Sequence, residues 1–249
     1  MKTASGNVAL VTGGSRGLGR AISVALAASG HRVVVNYWQS AAAAEETVAE
    51  CRAAGGEAIA VRADVCDAAA VRALVEATKQ AFGPVEVLVA NATGPQPMLP
   101  LEEYRWQDFQ NQLDFFVKSP FLLMQETIAA MKAARSGRVI LIGSEVIDLG
   151  NVNFSAYVAA KGAMVGLTRS WANEFGPWAI TVNLVAPGWI PVERHAGSAA
   201  ADLAAYAQKV PLRRQGVPAD VGAAVAYLAS EAANFVTGQC WTVNGGNTF

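Results

Sequence analysis

Seven short, β-branched apolar runs punctuate the chain: "NVALV" (7–11), "RVVVN" (32–36), "AIAVR" (58–62), "VEVLVA" (85–90), "RVILIG" (138–143), "AITVNLVA" (179–186) and "CWTV" (240–243). Helix-length, Ala-rich stretches separate most of them, at 17–29, 41–54, 68–82, 103–134 and 154–176. Strands alternating with helices predict βαβ units and a parallel sheet buried on both faces. No Pro/Ser linker, charge block or solenoid-period repeat divides the chain, so the pattern predicts one doubly wound α/β domain over 1–249 with about seven strands. The Gly/Ala-rich stretch 195–209 is the expected mobile insert, part of a substrate lid near 190–210.

Composition narrows this picture. Hydrophobic residues make up 53% of 249, enough for a substantial core. A net charge of −1 and a pI near 6.1 predict no nucleic-acid or membrane partner. The first apolar run, Val8 to Val11, is too short for a signal-peptide core, and no later run is long enough to span a bilayer. The cytoplasm is the expected location. Cys51, Cys66 and Cys240 lack CxxC spacing, and His31 and His195 lie far apart, so buried free thiols and no metal site are expected.

The first run leads into "TGGSRGLGR" (12–20) and then into an Ala-rich helix. Gly13, Gly17 and Gly19 allow a tight turn and close approach to a pyrophosphate, which a helix N-terminus favours electrostatically. A glycine triplet after a strand and before a helix predicts a Rossmann-type dinucleotide site. An NAD site would carry Asp or Glu at the end of the second strand to hold the ribose 2′-hydroxyl. Here Asn36, Tyr37, Trp38 and Gln39 offer no carboxylate, while Arg16 offers a cation for a 2′-phosphate. NADPH/NADP is therefore expected over NAD.

In "NFSAYVAAKGAMVG" (153–166), Tyr157 and Lys161 stand one helical turn apart on an otherwise apolar stretch. Taken alone, such a pair reads as surface decoration. In its setting the chain resembles the short-chain dehydrogenase/reductase family, nearest its 3-oxoacyl-[acyl-carrier-protein] reductase branch. The turn resembles TGxxxGxG, and Ser144, Tyr157 and Lys161 match the family's Ser–Tyr–Lys spacing. "RADV" with Asp64 and Val65, "VANATG" with Asn91 and Ala92, and "NLVAPGWI" with Pro187, Gly188 and Ile190 resemble its cofactor segments.

The resemblance implies that Tyr157 is the general acid, that Ser144 orients the substrate oxygen, and that Lys161 holds the cofactor ribose. A phenol ordinarily titrates at about 10, and a neighbouring ammonium is expected to lower it. Ser15, Arg16, Leu18, Asn36, Tyr37 and Trp38 join the glycines as expected cofactor contacts, with Phe154 and Trp189 as expected substrate contacts. The implied reaction is NADPH-dependent reduction of a 3-oxoacyl thioester or related carbonyl, possible cargo of acyl-carrier protein or CoA, by a dimer or tetramer. NAD(P)-dependent oxidation of a secondary alcohol and a non-catalytic cofactor-binding homologue stand as alternatives.

Three positions depart from the family pattern. Phe116 in "FVKSPF" replaces an Asn that holds a relay water, and Asn111 and Asp114 do not share its direction on the helix. Arg135 occupies one carrier-docking arginine position, but Trp178 occupies the other. Val192 stands where a Thr often bonds the cofactor diphosphate.

Overall fold

A computed structural model describes residues 6–249. The seven expected runs form seven strands: β1 (Val8–Val11), β2 (Arg32–Tyr37), β3 (Ala58–Arg62), β4 (Val87–Ala90), β5 (Gly137–Ile142), β6 (Ile180–Pro187) and β7 (Cys240–Val243). All pair in parallel, in the order β3-β2-β1-β4-β5-β6-β7. The order reverses between β1 and β4, which opens a crevice at their carboxyl ends. The Gly-rich turn leaves β1 there, and the Asn91 segment leaves β4 beside it.

Successive strand residues point to opposite faces, and each face has its own core. Leu10, Val34, Leu88, Val139, Leu141, Val182 and Leu184 face one side. Ala9, Val11, Val33, Val35, Val87, Val89, Ile140, Ile142 and Val185 face the other. Both sides demand apolar residues, so the middle of most runs is continuously apolar, with polar residues mainly at the ends.

The helices are α1 (Gly17–Ala28), α2 (Ala41–Ala53), α3 (Ala68–Phe82), α4 (Trp106–Leu113), α5 (Ser119–Ala134), α6 (Val146–Leu149), α7 (Ser155–Phe175), α8 (Ala200–Lys209) and α9 (Pro218–Ala229). Helices α3, α5 and α7 cover the first face, and α1, α2 and α9 the second. Helix α9 seats directly on α1: a Cβ on Gly222 would stand 2.8 Å from the Ala21 carbonyl oxygen.

Three expectations need correction. The stretch 103–134 is not one helix, because a wide π turn, Asp114–Lys118, separates α4 from α5. Pro120 has no N–H to close on the Phe116 carbonyl four residues back, which breaks regular helical bonding at that point. The stretch 195–209 is not a featureless insert, since helix α8 fills most of it after a 3₁₀ turn at Glu193–His195. Of the three thiols expected to be buried, only Cys51 is; Cys66 is partly covered, and Cys240 is exposed on β7, the edge strand.

Candidate active site

The turn after β1 is built for close backbone approach. Gly13 and Gly17 adopt φ of +60° and +56°, and a Cβ on Gly19 would stand 2.1 Å from the Gly13 carbonyl oxygen. Thr12, which the sequence reading passed over, fastens the turn to the next strand. Its hydroxyl donates to the Val89 carbonyl (3.3 Å) and accepts from the amides of Asn91 (2.9 Å) and Ala92 (3.0 Å). The Asn91 amide donates to the carbonyls of Thr12 (2.9 Å) and Gly13 (3.1 Å).

Asn36 is also spent on this scaffold. Buried, it accepts from the Gly13 amide (3.3 Å) and donates to the Ala63 carbonyl (3.1 Å), so its side chain braces the turn and does not face outward. Ser15 is buried, and its carbonyl accepts from the Thr47 hydroxyl at 3.0 Å. Asp64 caps its own turn by accepting from the Cys66 amide at 2.9 Å, and Val65 is buried beside it.

At the mouth of the turn Leu18 is half-buried, and Arg16 is exposed with no ion pair among the described residues. Arg62 was also missed from sequence: paired in register with Tyr37, it lays its guanidinium over the exposed Trp38 ring at 4.5 Å. The Gly17 amide donates to the Glu193 carboxylate at 3.3 Å. This outward-facing donor already holds an anion, so the turn fits a dinucleotide diphosphate.

Helix α7 explains the Tyr157–Lys161 pair. Its buried stripe runs through Tyr157, Ala160, Lys161, Met164, Thr168, Trp171 and Phe175, at helical spacing. Both polar groups thus belong to the face turned toward the sheet. Lys161 Nζ donates to the Ile142 carbonyl at 2.6 Å and sits 3.8 Å from the centre of the Phe116 ring. Phe116 also meets Tyr157 edge-on at 5.4 Å, while Phe154 stacks on Tyr157 at 4.6 Å. Ser144 follows β5, half-buried, and its hydroxyl accepts from the Val146 amide at 3.4 Å.

The electrostatics differ from the sequence expectation. Burial pushes the Tyr157 phenol above its ordinary value; Arg194, then the Ser144 and Gln96 side chains, pull it down. Burial also holds Lys161 well below the usual lysine range, with Arg194 adding to the effect. Arg194, from the 3₁₀ turn, is thus a cation that favours the Tyr157 phenolate, and Lys161 Nζ stands 5.6 Å from the Tyr157 ring centre. Arg194 sits in a three-residue 3₁₀ turn and Gln96 in an irregular loop, and neither is long or patterned enough for periodicity to mark which residue turns inward.

Pro187 ends β6, and its carbonyl accepts from the Glu145 amide at 2.9 Å. The Gly188 amide donates to the Val243 carbonyl at 3.1 Å, and Ile190 is buried below the loop. Trp189 is half-buried, edge-on to Tyr206 at 5.7 Å and to His195 at 6.4 Å. On the outer surface Arg135 donates to the Pro177 carbonyl at 3.0 Å. Beside it Lys132 lies over Trp178 at 4.3 Å and supplies a second cation that the search for an arginine at 178 overlooked.

A phosphate turn at a topological switch point, beside a buried Tyr–Lys helix, defines an oxidoreductase that uses a nicotinamide dinucleotide. Comparison with known proteins gives the family. The profile described as "Enoyl-(Acyl carrier protein) reductase" matches residues 13–248. A 3-oxoacyl-[acyl-carrier-protein] reductase of Synechocystis sp. is 40% identical over 247 residues, 99% of this chain and 98% of that one. FabG of Staphylococcus aureus, of the same name, is 39% identical over 240 residues, 96% of each chain. The solved structure of LugOII, a promiscuous reductase described as catalysing keto-reduction at C1 during lugdunomycin biosynthesis, superposes with a TM-score of 0.91 at 34% identity, covering 98% of this chain and 99% of that one. The chain belongs to the short-chain dehydrogenase/reductase family.

Proposed function

We propose that this protein reduces a ketone to a secondary alcohol with NADPH, and that its substrate is a 3-oxoacyl thioester or a related carbonyl. When bound, the reduced nicotinamide supplies the hydride that the carbonyl carbon accepts. Tyr157 donates its phenolic proton to the carbonyl oxygen, so that a C–H and an O–H bond form as the C=O π bond breaks. Ser144 orients that oxygen by hydrogen bonding. Lys161 holds the ribose hydroxyls near Tyr157, and Phe154 and Trp189 line the substrate opening.

The observation that carries this reading is the placement of Tyr157 and Lys161 on the buried stripe of α7, with Ser144 half-buried just past the end of β5. A phenol held above its ordinary value stays protonated at neutral pH, which suits a general acid in reduction. Preference for NADPH is supported by the absence of a carboxylate at the end of β2 and by the exposed cations Arg16 and Arg62.

The activities for which the relatives are named support a carbonyl substrate carried on acyl-carrier protein, and Arg135 with Lys132 gives an acidic carrier two cations to meet. Exposed Trp106, Phe121, Phe235 and Phe249 support a homo-oligomer, dimer or tetramer. Among the described residues no helix is long and apolar enough to cross a membrane, and the cytoplasm is the proposed location.

The test is Tyr157→Phe, which keeps the ring stack and removes the proton. NADPH oxidation with a panel of acyl thioesters and free ketones should fall by about 10²–10⁴-fold while NADPH binding is retained. A variant keeping more than about a tenth of wild-type turnover would place the acid elsewhere.

A further inference from the structure

Glu145, directly after Ser144, is only 4% exposed, and no Lys or Arg pairs with it among the described residues. A buried carboxylate without a countercharge is costly unless hydrogen bonds satisfy it, and here four neutral donors do so. Oε1 accepts from the Tyr206 hydroxyl at 2.8 Å and from the Trp189 amide at 3.2 Å. Oε2 accepts from the side-chain amides of Asn247 at 2.9 Å and Asn244 at 3.2 Å.

These donors come from three separate segments: the loop after β6, helix α8, and the stretch after β7. The Tyr206 hydroxyl bridges two of them, since it also accepts from the Trp189 amide at 2.9 Å. The fit is close, for a Cβ on Gly188 would stand 2.4 Å from that hydroxyl. One carboxylate therefore gathers the Trp189 loop and α8 around the residue next to Ser144.

We propose that Glu145, acting with Tyr206, is a positioning residue that latches α8 and the Trp189 loop over the substrate opening and fixes the Trp189 ring as one wall of it. The latch leaves the proton donor and the nucleotide turn untouched, so its effect falls on how substrate is held. Its kinetic consequence rests on the carbonyl-reduction reading above; its structural consequence does not.

Hydrogen exchange on full-length wild type, Glu145→Gln and Tyr206→Phe, without substrate, tests the latch. Peptides from 187–210 should exchange about tenfold faster in both variants while β1, β4 and β5 keep their protection. With the best ketone, Tyr206→Phe should raise KM more than it lowers kcat. The double variant should open 187–210 no further than Glu145→Gln alone, because both changes cut the same link. Unchanged exchange in Tyr206→Phe, uniform loss across the sheet, or additive effects would overturn the latch. Should Glu145→Gln fail to fold, Tyr206→Phe decides alone. Should the wild type reduce no ketone, the functional reading falls and the exchange result still decides the latch.

Discussion

Phe116 stands where the family pattern places a water-holding asparagine, and the structure gives it other work. Its ring is 1% exposed, its face seats the Lys161 ammonium at 3.8 Å, and its flank meets Tyr157. Phe116→Asn would remove a buried aromatic ring, a change that costs about 3–5 kcal/mol when the site cannot collapse. It would also forfeit a desolvated cation–π contact of about 2 kcal/mol and leave a buried amide whose unmade hydrogen bonds cost about 1–3 kcal/mol. These terms overlap, and a net loss of about 4–6 kcal/mol is expected against a total stability of about 5–15 kcal/mol. Melting should fall by roughly 10–20 °C for a chain of this size. Thermal unfolding, steady-state NADPH oxidation and the solvent isotope effect should be measured on one preparation. The expected result is a destabilised protein with equal or lower turnover. An Asn variant that melts within about 2 °C of wild type, turns over faster and shows a smaller isotope effect would refute the packing account and establish that a polar anchor for a relay water was the missing part.

Three further outcomes are expected, two from the site and one from the core. Arg16→Ala should narrow the NADPH-over-NADH preference by about 1.5–3 kcal/mol, and equal affinities for both nucleotides in the wild type would dismiss the assignment. Glu193→Gln should tighten NADPH binding by about two- to fivefold, because the carboxylate held by the Gly17 amide competes with the diphosphate for a helix N-terminus; weaker or unchanged binding by titration would contradict it. Burial holds His31 below its ordinary value of 6.5, so the unfolded chain binds the extra proton in the window beneath that value. Stability should therefore rise with pH up to about 6.5 and fall on acidification, and His31→Asn should flatten the profile in urea titrations; an unchanged slope would exclude His31 as its source.

The strands were legible because a parallel sheet covered on both faces needs short, continuous apolar runs rich in β-branched residues. The helix break at 114–118 was less so: Pro120 marks a disturbance, but nothing local distinguishes a widened turn from a helix end, because tertiary packing decides between them. The spacing of Ser144, Tyr157 and Lys161 could be read from the chain, whereas the direction of the phenol's shift could not. That direction depends on how deeply α7 is buried and on Arg194, which arrives from a segment without periodicity. Asn36 illustrates the same limit. Its position beside the expected ribose was plain, but only the fold shows its amide turned under Gly13. No local pattern marks Glu145, because its four donors lie 44 to 102 residues further along.

The seat of Gly222 on the backbone of Ala21 sets an order for the ribosome. Helix α1 emerges early with Ile22, Leu26 and the nucleotide turn, yet Val221, Val225 and Leu228 that share its core are translated some two hundred residues later. Until then α1 lacks the apolar cover that α9 supplies, the kind of exposed surface that makes a nascent chain prone to aggregate. A chain arrested at residue 217 is expected to be cut by protease within 17–28, where the complete protein resists.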